Sequence, residues 1–208
     1  MRPIVGIVDY GMGNLRSVEK GFEKVGVTAE VCSIPEKLTS YSGLVLPGVG
    51  AFGDAMGNLR SLGLMSALLE YIGSGRNLLG ICLGMQLLLS YSEEHGRYEG
   101  LDIVPGRVIR LPESVKVPHM GWNVLDIKKE TKLLKGIEGG SRFYFVHSFY
   151  CELKGEGSLI AATPYGLDFT SVLGRENVWG LQFHPEKSSL LGLKILKNFG
   201  AMVAGRAD

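Results

Sequence analysis

Short apolar segments alternate with amphipathic segments in the first half of the chain, and this alternation restricts the fold more than any other feature. The segments typical of buried strands are residues 4–8, 44–46 and 78–81, with a shorter strand expected near 29–32. Apolar residues at helical spacing predict helices over residues 15–25 and 62–72, and a further helix that begins with Met85, Leu88 and Leu89. Strands without polar alternation are buried on both faces. The pattern therefore predicts an α/β fold with an open, mostly parallel central sheet and helices on both faces.

The second half of the chain differs, because strand-like segments follow one another with only Gly-rich turns between them. These segments are residues 107–111, 122–127, 143–150, 159–163, 169–173 and 178–183. They predict antiparallel strand additions in the C-terminal half. A last helix is expected to begin at Ser188 or Ser189, either of which can cap it. The apolar face of that helix consists of Leu193, Leu196, Phe199 and Val203. No repeat or linker divides residues 1–208, so a single domain is expected.

Charge and cysteine content restrict the possible partners and compartment. The chain has 22 Lys and Arg against 21 Asp and Glu, a formal net charge of +1. Neither nucleic acid nor an anionic membrane surface is expected as a partner, because both normally require an excess of basic residues. Three widely spaced cysteines, Cys32, Cys82 and Cys151, favour a reducing, cytoplasmic compartment over a disulfide framework. The apolar run at residues 4–8 is shorter than a signal peptide or a spanning helix requires.

A candidate nucleophile stands where a buried strand is expected to turn into a helix. Residues 80–84 read Gly-Ile-Cys-Leu-Gly, a Gly-x-Ser-x-Gly nucleophile elbow with cysteine in place of serine. The glycines allow a sharp turn that lifts Cys82 clear of the sheet, and the start of the helix favours the thiolate. A buried core cysteine beside two turn glycines is the alternative. Cys32 and Cys151 lack flanking glycines and are expected to be core residues.

A thiolate nucleophile needs a base and a group that orients the base. Four histidines are available: His95, His119, His147 and His184. Only the last has an acid in a useful position, because residues two apart in an extended segment point to the same side and Pro185 favours that conformation. Glu186 can therefore accept from one ring nitrogen of His184 and leave the other nitrogen facing Cys82. The alternative is a surface glutamate beside a turn proline, with a half-buried histidine.

Stabilising an oxyanion requires at least two hydrogen-bond donors. The Leu83 N–H, at the start of the predicted helix, is one. Residues 47–50, Pro-Gly-Val-Gly, follow a strand at the sheet edge where α/β proteins bind ligands, so the N–H groups of Val49 and Gly50 are the next candidates. A plain turn is the alternative there. The glycine-rich turn at residues 11–14 does not fit a dinucleotide site, because Arg16 stands where the fingerprint needs Gly or Ala. No Walker A or zinc pattern occurs, so neither a cofactor nor a metal is expected.

Several blocks of the sequence, taken together, resemble the triad-type (class I) glutamine amidotransferases, which have a flavodoxin-like fold. The matching blocks, in the family's order, are residues 47–50, 80–86 and 183–186. Further blocks are similar to the glutaminase subunits of imidazole glycerol phosphate synthases, from histidine biosynthesis: residues 9–14, 118–123, 144–150 and 184–189. The resemblance covers nearly the whole chain, without a departure in the catalytic blocks.

The resemblance implies a reaction and a partner. Cys82 would attack the side-chain amide of glutamine, His184 would move the proton, and Glu186 would orient His184. A γ-glutamyl thioester would form, ammonia would leave, and water would complete the hydrolysis to glutamate. The ammonia would pass to a separate (β/α)8 cyclase subunit that makes imidazole glycerol phosphate and AICAR, the two subunits forming a heterodimer.

The same resemblance implies further roles, residue by residue. The expected substrate contacts are Gln86, Glu94 and the backbone of His147, Ser148 and Phe149. The residues expected to lie toward the cyclase are Asn14, Trp122 and Lys187. Taken without the resemblance, Glu94 is equally well explained as a solvated acid at a helix end. Trp122 alone is better explained as a core aromatic residue.

Three other functions are compatible with parts of this pattern. A glutaminase of another synthase, such as the one that serves pyridoxal phosphate synthesis, would share the triad but not the block at residues 119–123. A non-enzymatic flavodoxin-like binding protein would keep the thiol without using it. A cysteine peptidase with the same elbow would cleave peptides without glutamine.

Overall fold

The computed structural model describes residues 3–205. Residues 1–2 and 206–208, the ends of the predicted single domain, lie outside the described residues. The strands and helices, in chain order, are β1 (Ile4–Val8), α1 (Leu15–Lys24), β2 (Thr28–Cys32), β3 (Gly43–Gly48), α2 (Phe52–Ser61), α3 (Leu64–Gly73), β4 (Leu78–Cys82), α4 (Leu83–Gln86), β5 (Leu89–Ser92), β6 (Tyr98–Glu99), β7 (Val104–Arg110), β8 (His119–Val124), β9 (Asp126–Ile127), β10 (Arg142–His147), β11 (Phe149–Leu153), β12 (Leu159–Pro164), β13 (Asp168–Arg175), β14 (Val178–Leu181) and α5 (Ser189–Val203). Single 3-10 segments lie at Pro35–Ser40 and Pro185–Lys187. Within residues 3–205, no helix is long and apolar enough to cross a membrane.

The centre of the main sheet is parallel. Its strands lie in the order β2-β1-β3-β4-β14, and each pairs in parallel with its neighbours. From β14 onward, β13, β11 and β7 continue the sheet in antiparallel pairs. Strand β5 pairs in parallel with β7 and antiparallel with β6 at the edge, and β12 and β9 branch from β13. The predicted fold class, an open and mostly parallel sheet with antiparallel additions, is confirmed.

Helices cover both faces of the parallel strands, because these strands are apolar on both faces. Alternate residues of β3 belong to different cores. Leu44 and Leu46 lie in a core with Phe52 of α2, whereas Val45 lies in a second core with Phe22 of α1. Helix α3 contributes to the first core and α5 to the second. The carboxyl ends of the strands therefore remain as the open edge where the candidate site lies.

Strands β8 and β10 form a separate two-stranded antiparallel sheet, called the ribbon below. The segment 143–150, expected as one strand, is two strands: β10 ends in the ribbon at His147, and β11 enters the main sheet at Phe149. The expected strand over 122–127 is likewise divided between β8 and β9, which pairs with β12. Apolar alternation identifies a strand but not the sheet that it joins, because pairing depends on distant residues.

Two helix predictions are wrong in extent. The segment 62–72 contains only α3, and a separate helix, α2, precedes it; Gly63, with a φ of +69°, separates the two. The helix expected to begin with Met85, Leu88 and Leu89 is only the short α4, which ends at Gln86, and β5 begins at Leu89. Leu89 pairs with Val104 of β7, so sheet pairing overrides the helical spacing of the leucines.

Candidate active site

The turn from β4 into α4 holds Cys82 in a strained conformation. Cys82 has a φ of +55°, in the left-handed region that residues other than glycine rarely adopt. The glycines on either side are sterically required. A Cβ on Gly80 would lie 2.6 Å from the Gly84 carbonyl oxygen, and a Cβ on Gly84 would collide with the Leu46 carbonyl oxygen of β3. The structure thus has a sharp strand-to-helix turn at residues 80–84, with the cysteine at its apex.

His184 and Glu186 form a buried pair just beyond the end of β14. Glu186 Oε1 lies 2.8 Å from His184 Nδ1, and the two side chains are 1% and 3% exposed. An ionised carboxylate only accepts, so Nδ1 carries the proton. Backbone contacts hold this turn: the His184 N–H donates to the Tyr144 carbonyl of β10 at 3.0 Å, and the Ser188 hydroxyl donates to the His184 carbonyl at 2.6 Å. Ser188 stands at the start of α5, but its hydroxyl makes no capping hydrogen bond to that helix.

The second ring nitrogen of His184 is available for proton transfer. His184 Nε2 is buried and has no hydrogen-bond partner of ordinary geometry among the described residues. Burial lowers the pKa of His184, but the adjacent Cys82 sulfur and Glu186 carboxylate raise it by more, so that the pKa rises from 6.5 to about 9. These contacts stabilise the imidazolium, which forms when His184 takes a proton from the thiol.

A cavity of about 290 Å³ opens beside the Cys82 sulfur. Residues with predicted substrate or oxyanion roles line it: Val49, Gly50, Leu83, Gln86, Glu94, His147, Ser148 and Phe149. Val146 of the ribbon also lines the cavity, and its carbonyl oxygen lies 3.9 Å from Cys82 Sγ. The structure therefore brings together residues that the sequence scatters over four separate segments. Their individual roles remain predictions.

Gln86 belongs to a chain of amides that ends at the nucleophile. Its Nε2 donates to the Phe149 carbonyl at 2.9 Å and to Gln182 Oε1 at 3.1 Å. Gln182 Nε2 in turn donates to Cys82 Sγ at 3.8 Å. Gln182 carries no sequence signal beyond its position two residues before His184, which places its side chain on the same side of an extended segment.

Glu94 has a structural contact as well as a place in the cavity wall. Its carboxylate accepts a hydrogen bond from the Phe52 N–H at 2.7 Å. Phe52 is the first residue of α2, where an acceptor satisfies a backbone N–H that has no partner within the helix. Glu94 thus ties the wall of the cavity to the turn that follows β3.

The candidate oxyanion donors lie on two neighbouring turns. Leu83 is the first residue of α4, so its N–H has no acceptor within the helix. Gly48 is the register partner of Cys82, which puts the turn at residues 47–50 beside the nucleophile; Gly50 has a φ of +101° that favours glycine. Tyr10, a buried residue without a sequence signal, donates to the Pro47 carbonyl at 2.8 Å and holds this turn. Burial and then the nearby Cys82 raise the pKa of the Tyr10 hydroxyl.

A family model described as glutamine amidotransferase class-I matches residues 6–203. The chain belongs to this family. The predicted resemblance is confirmed, and the fold is that of a class-I glutamine amidotransferase.

Curated relatives are similar over almost the entire amidotransferase. A protein of Moorella thermoacetica is 53% identical over 209 residues, covering 100% of this chain and 99% of the relative. One from Desulfitobacterium hafniense (strain DSM 10664 / DCB-2) is 52% identical, covering 96% and 95%, and one from Geobacter sulfurreducens is 51% identical, covering 95% and 98%. Each is named imidazole glycerol phosphate synthase subunit HisH. The narrower resemblance to these synthase subunits is confirmed as well.

Solved structures share the fold at much lower identity. A crystal structure of a glutamine amidotransferase has a TM-score of 0.76 at 20% identity and covers 97% of this chain and 99% of that chain. The structure of PurLQS from Thermotoga maritima has a TM-score of 0.75 at 19% identity, covering 96% and 98%. These likenesses establish the architecture of the amidotransferase and nothing about its substrate.

The other two cysteines of the amidotransferase are buried away from solvent. Cys32 and Cys151 belong to the same apolar core. Burial, and then the nearby Cys82, raise the pKa of the Cys151 thiol. Neither lines the cavity beside the nucleophile. No cluster of three or more potential metal ligands occurs within residues 3–205.

The residues predicted to lie toward a partner are exposed. Asn14 precedes α1, Lys187 ends the turn that carries Glu186, and both are solvent-accessible. Trp122 is 49% exposed and packs edge-on against Tyr144 across the ribbon, with ring centroids 6.2 Å apart. Trp122 is therefore not a core aromatic residue. The partner role of the three predicted residues remains a prediction.

Proposed function

We propose that residues 1–208 form one amidotransferase domain that hydrolyses glutamine to glutamate and ammonia and delivers the ammonia to a separate (β/α)8 cyclase. In this proposal the two chains form the heterodimer that makes imidazole glycerol phosphate and AICAR in histidine biosynthesis. The observation that carries the proposal is the 2.8 Å His184–Glu186 pair beside Cys82, which stands in a strained elbow at the wall of a cavity. The relatives named as synthase subunits support the choice of pathway.

The first half-reaction forms a thioester. His184 Nε2 takes the proton of the Cys82 thiol, and the sulfur attacks the side-chain amide carbon of glutamine. The oxyanion that develops is stabilised by the Leu83 N–H and by the turn containing Val49 and Gly50. The imidazolium then gives its proton to the amide nitrogen, the carbon–nitrogen bond breaks, and ammonia leaves.

The second half-reaction regenerates the thiol. Neutral His184 takes a proton from water, and the resulting hydroxide attacks the thioester carbon. The carbon–sulfur bond breaks, the proton returns to Cys82, and glutamate leaves. Glu186 keeps the proton on Nδ1 throughout and stabilises the imidazolium, so it orients the base without exchanging protons with the substrate.

The chemistry of the product, ammonia, is the reason to expect a docked partner. Ammonia that escapes to water becomes protonated and loses its nucleophilic lone pair, so the acceptor site has to dock against this chain. Trp122 on the ribbon and Lys187 beside Glu186 are both exposed. Their exposure supports docking of the cyclase on the side of the chain that carries the triad. The reaction needs soluble metabolites only, which fits a cytoplasmic enzyme without a nucleic acid or membrane partner.

Glutamine hydrolysis by the purified chain, with and without the cyclase and its ribonucleotide ligand, tests the proposal. We expect low activity for the chain alone and stimulation in the complex. High turnover that does not respond to the cyclase would contradict the coupling of the two subunits. Stimulation by a pyridoxal phosphate synthase instead would assign the chain to that pathway.

Selective labelling separates an enzyme from a binding protein of the same fold. A glutamine-like chloroketone should alkylate Cys82 and spare Cys32 and Cys151, both of which are buried in the core. Cys82→Ala is the matched control and should show neither labelling nor glutamine hydrolysis. Equal labelling of all three cysteines would favour the non-enzymatic alternative, and peptide turnover without glutamine would favour a peptidase.

A further inference from the structure

Two buried histidines stand between the outer surface of the ribbon and the glutamine cavity. His119 of β8 and His147 of β10 are directly opposite each other in the ribbon and are 4% and 6% exposed. Tyr165 stacks on the His119 ring at 3.9 Å between centroids, and Phe169 presents its ring to both histidines. Burial of polar rings among aromatic side chains is costly unless each nitrogen has a hydrogen-bond partner.

Every nitrogen of this pair has a partner, and the partners fix the direction of each hydrogen bond. His147 Nδ1 lies 2.9 Å from the Phe149 carbonyl oxygen, which can only accept, so Nδ1 carries the proton. In the neutral ring Nε2 is then an acceptor, and it lies 3.0 Å from His119 Nδ1, which therefore donates. His119 Nε2 is consequently an acceptor and lies 3.3 Å from Asn123 Nδ2.

The neutral state that this scheme requires agrees with the surroundings of both rings. Burial lowers the pKa of His119 to about 4. Burial lowers the pKa of His147 to about 3, with a further contribution from the neighbouring His119 and His184, although the hydrogen bond to the Phe149 carbonyl opposes the shift. Both rings are therefore neutral at pH 7.

Asn123 anchors the outer end of the chain of hydrogen bonds. Its Oδ1 accepts from the Val124 N–H at 2.8 Å, which identifies the other amide atom as the nitrogen. That nitrogen also donates to the Pro164 carbonyl at 2.9 Å. With the amide oriented by two backbone groups, the direction of every later hydrogen bond in the chain is determined.

The inner end reaches the substrate-binding wall. The Phe149 carbonyl that accepts from His147 accepts from Gln86 Nε2 as well. Both residues line the cavity beside Cys82. A shift of this carbonyl would therefore move Gln86 and, through Gln182, the donor that faces the nucleophile sulfur.

We propose that Asn123, His119 and His147 form a directional hydrogen-bond relay that positions the glutamine-binding wall by fixing the Phe149 carbonyl. The three are positioning residues, because they act through Phe149 and Gln86 on the substrate. This inference rests on the proposed glutaminase function. The relay begins on β8, the strand whose opposite face carries exposed Met120 and Trp122, so it also joins the proposed docking surface to the cavity.

The tautomers test the relay in the wild-type chain without any substitution. Free histidine side chains favour the tautomer with the proton on Nε2, whereas the relay requires the proton on Nδ1 in both His119 and His147. Nitrogen-15 NMR of the full chain at pH 7 distinguishes the two forms. We expect Nδ1–H for both residues. A proton on Nε2 of His147 would overturn the proposal.

A matched pair of variants tests the function of the relay in the complex with the cyclase. His119→Phe keeps a ring to stack on Tyr165 but removes the donor to His147. His119→Asn loses the ring but keeps a donor, because its amide nitrogen is attached at the same distance from Cβ as Nδ1. For His119→Phe we expect the KM for glutamine to rise about 5- to 30-fold, the factor that corresponds to one lost buried hydrogen bond, with kcat changed less than about threefold. For His119→Asn we expect KM within about threefold of wild type.

The pair distinguishes positioning from simple packing. If the His119 ring only fills space, His119→Phe should behave like the wild type and His119→Asn should be the impaired variant. That result would refute the relay but not the proposed glutaminase function. A wild-type complex without glutaminase activity would refute the proposed function itself, and with it the role of the relay in glutamine binding. Melting temperatures of both variants identify any loss of folding. If a variant does not fold, the tautomers of His119 and His147 in the wild-type chain decide whether the relay exists.

Discussion

Replacing Glu186 with glutamine tests why His184 binds its proton tightly. The substitution keeps an oxygen that can accept from His184 Nδ1 at the 2.8 Å position and removes the negative charge. The other carboxylate oxygen, Oε2, is buried without a hydrogen-bond partner among the described residues, so the new amide group breaks no existing contact. The variant is therefore close to isosteric and changes mainly the electrostatics of the pair.

The magnitude follows from the raised pKa of His184. A rise from 6.5 to about 9 corresponds to about 3 kcal/mol of preference for the imidazolium in the folded protein. Burial opposes this rise, so Cys82 and Glu186 together contribute more than the net value. We expect Glu186→Gln to lower the pKa of His184 by about one unit or more, and Cys82→Ala to lower it as well.

The sign of the pH dependence follows from the direction of the shift. Because the folded pKa exceeds the unfolded value, protonated His184 stabilises the fold fully below pH 6.5, and this contribution is lost as the pH rises to about 9. The wild type should therefore lose more unfolding free energy than Glu186→Gln between pH 6 and pH 9.5. Denaturant unfolding measures the difference between the two proteins, in which titrating groups remote from the Cys82–His184 pair cancel.

NMR titration of the His184 ring gives the pKa directly in both proteins. A pKa that stays at about 9 in Glu186→Gln, together with unchanged pH dependence of unfolding, would refute the electrostatic role of Glu186. A fall in pKa without any loss of glutamine hydrolysis would show instead that the carboxylate is not needed for catalysis.

The remaining predictions concern the elbow, the oxyanion turn and the docking surface. Gly84→Ala should prevent folding or abolish activity, because its Cβ would collide with a backbone carbonyl of β3; Gly57→Ala, in open space on α2, is the control and should raise the melting temperature. Tyr10→Phe leaves the buried Pro47 carbonyl without its donor, so denaturant unfolding should show a loss of about 1–3 kcal/mol together with reduced turnover. Trp122→Ala should weaken cyclase binding by about 2 kcal/mol or more in calorimetry while the chain keeps its melting temperature, and unchanged affinity would remove the ribbon from the interface.

The sequence identifies the catalytic residues more completely than it identifies the residues that surround them. Cys82 and its glycines lie within five consecutive positions, and His184 and Glu186 are two residues apart, so steric and alternation rules apply to them directly. Gln182 lies 100 positions from Cys82, and Tyr10 lies 37 positions from Pro47. Neither contact follows from a local rule, because the residues between the two partners do not specify which strands become neighbours.

The secondary structure follows the same division. The strands β1, β3 and β4 could be predicted from the sequence because their apolar runs are continuous, and the runs of β1 and β3 end at Asp9 and Pro47. The end of helix α4 could not be predicted, because Leu89 continues a helical spacing while its backbone pairs with Val104. The split at Ser148 between the ribbon and the main sheet was equally hidden, since no Gly or Pro interrupts residues 143–150.

By itself, the sequence determined an α/β chain with a cysteine elbow, a histidine–glutamate pair and a family. Tertiary structure alone decided that the cavity wall is assembled from five segments, that Trp122 is exposed on a ribbon, and that His119 and His147 are neutral rings in one hydrogen-bond chain. The physical reason is the distance along the chain over which each effect acts. Backbone geometry and apolar periodicity act over a few residues, whereas burial, pKa and hydrogen-bond direction depend on neighbours that only the folded sheet brings into contact.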